Sequence, residues 1–118
     1  MTMSKPAVFL AAIFLVWCAP TGHAQSPKRI EITAKRFTYD PDTITLKKGE
    51  PVVLVLHSSD VTHGLKIDAF NVKSDNIQKS KDTELSFTPQ QTGHFEGKCA
   101  HFCGKGHGNM TLQIDVVP

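Results

Sequence analysis

The residues best suited to bind a metal are concentrated in one short stretch near the end of the 118-residue chain. Residues 99–110 read Cys-Ala-His-Phe-Cys-Gly-Lys-Gly-His-Gly-Asn-Met, which combines two thiols, two imidazoles and a thioether. Sulfur and imidazole ligands together suit soft or borderline transition metals such as copper. Glycines at positions 104, 106 and 108 let the backbone fold tightly. Cys103, His107 and Met110 could therefore converge on one metal centre.

Two alternative interpretations explain less of this stretch. A helix would place Cys99, Cys103 and His107 on one face, but three glycines within five residues disfavour a helix. A disulfide between Cys99 and Cys103 would suit an oxidising compartment. Such a short loop gains little from closure entropy, however, and the disulfide would leave His107 and Met110 without a role. The stretch is predicted to be a metal-binding loop.

The first 24 residues have the features of a secretory signal peptide. Lys5 precedes an apolar run from Ala7 to Trp17, and Gly22-His23-Ala24 supplies the small residues of a cleavage site. The run has about half the length that a transmembrane helix requires. We expect residues 1–24 to be removed, so that residues 25–118 form an exported, soluble domain of the periplasm or a similar compartment, without a membrane span.

Cys18 follows Leu15-Val16-Trp17, which loosely resembles a lipid-attachment sequence. The bulky Trp17 stands where such sequences have a small residue, so we expect no lipid. Cleavage would leave Cys99 and Cys103 as the cysteines of the mature chain.

Charge and length exclude several classes of function. The formal net charge of the whole chain is +2, and loss of Lys5 with the signal lowers it by one. Basic and acidic residues are interspersed, which disfavours a nucleic-acid partner or a polybasic membrane surface. The mature length suits one domain with one core.

The rest of the chain predicts short β-strands separated by turns. Residues 52–56 are apolar at every position and predict a strand covered on both faces. A bend is expected near Lys35, and residues 68–81 predict a long connection with at most one helical turn. Alternating or apolar segments are found near 30–34, 44–46, 52–56, 64–67, 85–87, 95–99 and 111–117. This pattern predicts an antiparallel β-sandwich in which the last two strands hold the ends of the loop.

These residues resemble the copper A domain, a cupredoxin found in cytochrome c oxidase subunit II and nitrous oxide reductase. Its pattern C-x3-C-x3-H-x2-M is matched without insertion by residues 99–110, and His63 matches a further histidine upstream. Residues 35–39 and 47–52 are similar to the early strands of that family. The resemblance spans nearly the whole mature chain and implies an all-β, cupredoxin-like antiparallel Greek-key β-sandwich.

The resemblance also implies a centre of two copper ions. Two thiolates would bridge the ions, one histidine would complete each ion, a thioether would bind one ion weakly, and a backbone carbonyl would bind the other. In this sequence those ligands are Cys99 and Cys103, His63 and His107, Met110, and the carbonyl of His101. Many family members have a carboxylate side chain at the position of His101, but the family uses only its main chain.

Such a site favours electron transfer. It has no open metal position, and no acid–base pair or activated nucleophile stands out, so we do not expect an enzyme. The implied function is a periplasmic electron carrier with a redox partner such as a cytochrome or an oxidase. A copper storage or delivery protein is one alternative. A mononuclear blue or red copper site of His63, Cys103, His107 and Met110 is another, although Cys99 would then be redundant.

Three features depart from the family pattern. Subunit II has transmembrane helices ahead of its copper domain, whereas here a cleavable signal is expected. Gly64-Leu65 replaces the aromatic residue that often follows the upstream histidine, and His101 brings an imidazole within reach of the metal. The other histidines of the expected domain, His57 and His94, are interpreted as structural or surface residues.

Overall fold

The computed structural model describes residues 2–7, 11–19 and 26–118. Within these residues, nine strands and two short 3-10 turns are found, the turns at Asp68–Phe70 and His107–Asn109. The strands are β1 (Lys28–Lys35), β2 (Thr38–Asp40), β3 (Thr43–Lys47), β4 (Val52–Ser58), β5 (Lys66–Ile67), β6 (Val72–Lys73), β7 (Thr83–Phe87), β8 (Gly93–Lys98) and β9 (Thr111–Val117).

The strands form two sheets. One has the order β2-β1-β4-β7 and the other the order β3-β9-β8-β5-β6. The predicted all-β, cupredoxin-like sandwich is confirmed. Two of its strand pairs, β1–β4 and β3–β9, are parallel rather than antiparallel. For the first pair, the reason is that the chain passes through β3 in the opposite sheet before β4 returns beside β1.

Two segments outside the long strands, the turn after Lys35 and the connection over residues 68–81, can be compared with the sequence predictions. The bend expected near Lys35 is a full reversal of the chain at Arg36 and Phe37, so that Lys35 pairs with Thr38. The connection over residues 68–81 contains the one expected helical turn. It also contains β6, a two-residue strand paired with β5, which is too short to leave a periodic pattern in the sequence.

The hydrophobic core lies between the sheets, where alternate residues of each strand point inward. Its fully buried members include Ile32, Leu46, Leu54, Leu112 and Ile114. Strand β4 is also buried on its outer face, as predicted. There Val53 and Val55 lie between Arg29 of β1 and Glu84 of β7, whose side chains form an ion pair across the strand.

The metal-binding loop connects two neighbouring strands of one sheet. Strands β8 and β9 are antiparallel neighbours, and Lys98 pairs with Thr111 at the point where the loop leaves and returns. The Cys99 N–H donates to the Met110 carbonyl at 3.2 Å, which extends this pairing by one step. Both ends of the loop are therefore fixed by the sheet.

The predicted signal peptide lies only partly within the described residues. Side chains 13–17 are each at least 84% exposed, whereas Gly22-His23-Ala24 and Gln25 lie outside the described residues. In the part of the chain that is described, no helical segment has the length and apolar character of a membrane span. The boundary between residues 24 and 25 stays a prediction.

The sandwich predicts unequal effects for two substitutions in β9. Ile114 is fully buried in the core, so Ile114→Ala should lower the free energy of unfolding of the metal-free protein by about 2–5 kcal/mol. Val117 is 39% exposed, and Val117→Ala should change the free energy of unfolding by less than about 0.5 kcal/mol. Urea unfolding followed by circular dichroism measures both, and similar losses for both variants would contradict this placement of β9.

Candidate metal centre

Three predicted ligands from distant parts of the sequence meet in the core at one end of the sandwich. His63 lies in the connection between β4 and β5, and Cys99 and Cys103 lie in the loop after β8. All three residues are buried, and one ligand atom from each lies within 4.8 Å of the others. The two Sγ atoms are 3.9 Å apart, and both cysteines are free thiols. The geometry excludes a disulfide and brings together atoms that could bind a metal. We call this group, which begins with His63, Cys99 and Cys103, the donor cluster.

The other two side chains of the loop complete this cluster around Cys103. The Nδ1 of His107 and the Sδ of Met110 each lie 3.8 Å from the Cys103 Sγ. A 3-10 turn over His107–Asn109 brings them there, and the Met110 N–H donates to the His107 carbonyl at 3.2 Å. Met110 is fully buried. The structure thus brings the loop residues together as one donor set.

His101 presents its main chain to the same cluster. Its carbonyl oxygen accepts a hydrogen bond from the Cys99 Sγ at 3.0 Å. Its ring Nδ1 is buried and has no hydrogen-bond partner among the described residues. The carbonyl is therefore the atom of His101 for which the structure gives a direct contact with a predicted ligand.

The orientation of His63 is set by Asp60. The His63 Nε2 lies 2.7 Å from the Asp60 Oδ1, so this nitrogen carries the proton and donates to the carboxylate. The remaining Nδ1 is buried without a hydrogen-bond partner in the described part of the chain. Its lone pair is thereby free for a metal. A carboxylate behind a ligating histidine is a common way of fixing the tautomer and the ring angle.

The main chain around His63 is fixed by a segment that looked featureless in the sequence. The His63 N–H donates to the Ile77 carbonyl at 3.0 Å, and the Ile77 N–H donates back at 2.8 Å. Ser74 makes a similar exchange with Leu65, because its Oγ accepts the Leu65 N–H at 3.0 Å and its own N–H donates to the Leu65 carbonyl. The polar connection before β7 therefore holds His63, a candidate ligand, in place.

Asp60 stays ionised because it accepts several hydrogen bonds. Burial opposes its ionisation, but the N–H of Arg36, the ring of His63 and the N–H of Val61 together outweigh burial and lower the pKa of Asp60 to about 2. The Arg36 N–H lies 2.8 Å from the Asp60 Oδ2. The carboxylate thus joins the turn after β1 to the connection that carries His63.

The side chain of Arg36 continues this link to the metal-binding loop. Its Nε donates to the Cys103 carbonyl at 3.0 Å. One residue of the β1–β2 turn therefore touches both Asp60, through its main chain, and the Cys103 segment, through its side chain. The guanidinium also places a positive charge beside Cys103, which favours the ionised form of its thiol.

Tyr39 supports the site from inside the core. Its hydroxyl donates to the Gly64 carbonyl at 2.6 Å, and the side chain is 1% exposed. Burial, together with the neighbouring thiols Cys99 and Cys103, raises the pKa of the Tyr39 phenol above its ordinary value. The phenol therefore stays neutral and serves as a hydrogen-bond donor beside the donor cluster.

Glycines allow close packing at two points of the site. A Cβ atom on Gly64 would lie 3.1 Å from the Ala100 Cβ, so the two ligand-bearing segments touch through their backbones. A Cβ atom on Gly106 would lie 2.4 Å from the ring of Phe37, and Gly104, with φ +138°, packs against the same ring. Phe37 thereby braces the loop from outside.

The chemistry of this donor set fits a soft transition metal. Burial and the neighbouring Cys99 raise the pKa of the Cys103 thiol, so this thiol is protonated at neutral pH when no metal is bound. A metal ion that binds Cys103 must displace that proton, and its affinity should therefore rise with pH. Two thiols, two imidazole rings and a thioether in one largely buried site suit copper better than hard cations, which prefer oxygen ligands.

His57 and His94 lie outside the site, as the sequence analysis predicts. The half-buried His57 forms a hydrogen bond between its Nδ1 and Asp82 at 2.6 Å. His94 is exposed in β8 and lies between Asp115 and Gln113 of β9. The hydrogen bonds to Asp115 and Gln113 raise the pKa of His94. Both histidines have surface roles.

The sequence analysis did not assign roles to Arg36, Tyr39 or Ile77. Their contributions are made through backbone carbonyls and strand pairing, which depend on the fold and not on a motif. Asp60 left a usable signal, because a carboxylate three residues before a ligating histidine can reach its ring.

The Asp60–His63 hydrogen bond predicts a selective loss of metal affinity. Asp60→Asn removes the charge that holds the Nε2 proton, and copper affinity should fall about 10–100-fold. Competition with a chromophoric chelator measures it. Asp68→Asn is the matched control, because Asp68 is an exposed residue of the first 3-10 turn. Equal affinities for the Asp60 variant and the unaltered protein would show that the carboxylate does not orient the ligand.

The chain is similar in sequence to known oxidase subunits. The chain is 39% identical over 75 residues to a probable cytochrome c oxidase subunit 2 of Streptomyces avermitilis, covering 64% of this chain and 23% of that protein. It is 29% identical over 87 residues to cytochrome c oxidase subunit 2 of Thermus thermophilus, covering 74% of this chain and 64% of that protein. The chain therefore spans less than two thirds of the length of these relatives.

A solved structure gives the same fold. The periplasmic domain of subunit II of cytochrome oxidase from Bradyrhizobium japonicum superposes with a TM-score of 0.71 at 22% identity, covering 79% of this chain and 86% of that one. Residues 8–112 match the profile of the cupredoxin-like domain. From this match and the two-sheet sandwich that carries the donor cluster, the chain belongs to the cupredoxin-like domain family.

Proposed function

We propose that this protein is a periplasmic electron carrier that holds two copper ions in one binuclear centre. One observation carries the proposal: two buried thiols, 3.9 Å apart, share a site with His63 and with the nitrogen and sulfur donors of His107 and Met110. A single copper ion needs only one of these thiols. A thiolate sulfur has several lone pairs, so two thiolates can each bridge two ions.

Each residue has a distinct task in this proposal. Cys99 and Cys103 would hold both ions through their thiolates, and the Nδ1 atoms of His63 and His107 would each supply a nitrogen ligand. Met110 would add a weak thioether ligand, and His101 would contribute its carbonyl oxygen. When bound, the copper pair supplies a site that gains and loses one electron. The chain keeps the donors fixed during this change through Asp60, Arg36, Tyr39 and the β8–β9 pair, which keeps reorganisation small.

The relatives support a role within respiratory electron transfer. Their names describe subunits of cytochrome c oxidase, and the donor cluster of this chain combines the sulfur and imidazole ligands that suit a copper electron-transfer site. We infer that the chain is exported, exchanges electrons with a partner protein such as a cytochrome or an oxidase, and performs no catalysis by itself.

Copper storage or delivery is a second candidate, favoured by one observation. A depression of about 280 Å³ opens to solvent over Cys103, beside Thr62 and Phe102, and could admit a metal ion. The two candidates differ in retention of the metal. An electron carrier keeps its copper through repeated reduction and oxidation, whereas a delivery protein transfers copper to a metal-free acceptor.

The binuclear assignment predicts the behaviour of two cysteine variants. Unaltered protein should bind two copper ions per chain, with an electron-spin-resonance hyperfine pattern spread over both nuclei. Cys99→Ser removes one bridging thiolate but leaves His63, Cys103, His107 and Met110. The copper content of this variant should fall towards one ion per chain, and its spectrum should show four hyperfine lines. Metal analysis together with the spectrum measures both quantities.

Cys103→Ser separates the two hypotheses. In a mononuclear site it would abolish the spectrum, while Cys99→Ser would be silent, because Cys99 would not be a ligand. In a binuclear site both substitutions change the copper content. One copper ion in the unaltered protein, with no effect of Cys99→Ser, would refute the binuclear hypothesis.

The role of the His101 carbonyl predicts that its imidazole is dispensable. His101→Ala should retain copper and leave the charge-transfer bands nearly unchanged, because the backbone oxygen remains. His94→Ala is the neutral control and His107→Ala the disruptive one. A loss of the bands in His101→Ala as complete as in His107→Ala would show that the imidazole is a ligand and would favour the red-copper alternative.

A further inference from the structure

An exposed apolar side chain marks the outer surface directly above the donor cluster. Phe102 lies in the metal-binding loop and is 72% exposed, although it is flanked by the buried Cys103 and the half-buried His101. Its ring centroid is 5.6 Å from that of His107. The His107 Nδ1 in turn lies 3.8 Å from the Cys103 Sγ. A molecule that covers Phe102 therefore approaches the donor cluster through one imidazole ring.

Basic residues lie at the same end of the sandwich as Phe102. Arg36 and Phe102 line the same depression over Cys103. Lys35 ends β1 and Arg36 lies in the β1–β2 turn. Lys105 lies between the two glycines that pack on Phe37, next to that turn. All three basic side chains are exposed. We name Phe102 with Lys35, Arg36 and Lys105 the loop-end surface.

Few acidic residues lie near the loop-end surface, and Asp60 and Asp82 form hydrogen bonds with other residues. Residues 99–110 and residues 33–39 contain no acidic residue. Asp60 accepts hydrogen bonds from the Arg36 N–H and the His63 ring. Asp82, just before β7, lies against His57. The loop-end surface therefore has an excess of positive charge, although the whole chain carries a formal net charge of only +2.

We propose that the loop-end surface docks an electron-transfer protein whose exposed cofactor edge is ringed by carboxylates. This rests on the proposed electron-carrier function and adds the charge of the partner. Charge complementarity argues for it, because a basic rim attracts a carboxylate rim during encounter and repels a lysine-rich one. The exposed Phe102 supplies the apolar contact at the centre of the interface. In the transfer step the reduced centre loses one electron and the partner cofactor gains it.

Two small oxidants of opposite charge test the charge of this surface without an identified partner. The copper-loaded, reduced protein is mixed in stopped flow with hexacyanoferrate(III), an anion, or with tris(phenanthroline)cobalt(III), a cation. The anion should react faster as ionic strength falls, and the cation more slowly. Salt near 0.1 M screens charges beyond about 10 Å and should reduce both effects.

Charge reversal assigns the effect to particular residues. The double variant Lys35→Glu with Lys105→Glu should lower the hexacyanoferrate(III) rate constant about tenfold at low ionic strength. The matched control is Lys47→Glu with Lys48→Glu, which makes the same change in net charge. These exposed lysines lie beside Val117, at the other end of the seven-residue β9 and about 20 Å from the loop. The control should keep most of the rate, and comparing variants cancels the charge of the bound metal.

A polymeric anion tests docking on the metal-free protein. Polyglutamate should shift the backbone amide signals of Phe102 and Lys105 in nuclear magnetic resonance spectra, and polylysine should not. It should also compete with hexacyanoferrate(III) for the loaded protein. The Lys35→Glu, Lys105→Glu variant should lose both effects, while the control variant keeps them.

The outcomes separate this inference from the function on which it rests. Suppose that both oxidants react, but charge reversal at Lys35 and Lys105 has the same effect as charge reversal at Lys47 and Lys48. The proposed charge of the partner is then wrong, while the electron-carrier function stands. If polyglutamate shifts signals elsewhere on the sandwich, the surface is wrong. If neither oxidant takes an electron from the loaded protein, the electron-carrier function fails, and the proposed partner fails with it.

Discussion

The geometry of the site depends on the hydrogen bonds that the Asp60 carboxylate accepts. It accepts hydrogen bonds from the Arg36 N–H, the Val61 N–H and the His63 ring, so it ties the β1–β2 turn to the segment that carries the histidine. The Arg36 side chain then reaches the Cys103 carbonyl. Because the thiols and His63 come from separate connections, these links help to keep them aligned. The supporting network thus stabilises the site in the absence of any metal.

This arrangement explains how a small domain tolerates thiols and an unpaired imidazole nitrogen in its core. An unsatisfied buried nitrogen costs free energy, and the His63 Nδ1 has no hydrogen-bond partner among the described residues. The alternating apolar residues of β1, β4 and β9 supply the opposing stability. A bound metal ion satisfies that nitrogen and the thiols together, so metal binding stabilises the folded state further.

The sequence was most informative where the chemistry is local. Spacing alone grouped Cys99, Cys103, His107 and Met110, because residues within one short loop cannot separate far. Placing His63 with them required a family resemblance, since nothing in the local pattern distinguishes it from a structural histidine. Alternation identified the long strands, but β6 was missed because two residues carry no period. Parallel pairing of β1 with β4 could not be predicted from alternation, which looks the same in either direction.

The same local rules explain why the sequence suggested candidate ligands but not the residues that support them. Ligands are recognised by side-chain type, but Tyr39 and Arg36 act on the carbonyls of Gly64 and Cys103, which every residue possesses. Their roles depend on which backbone segment the fold places opposite them. Substitution of ligands should therefore remove the metal, whereas substitution of such supporting residues should alter its geometry and affinity by degrees. A family can keep one ligand pattern and still tune each member through residues that its motif does not contain.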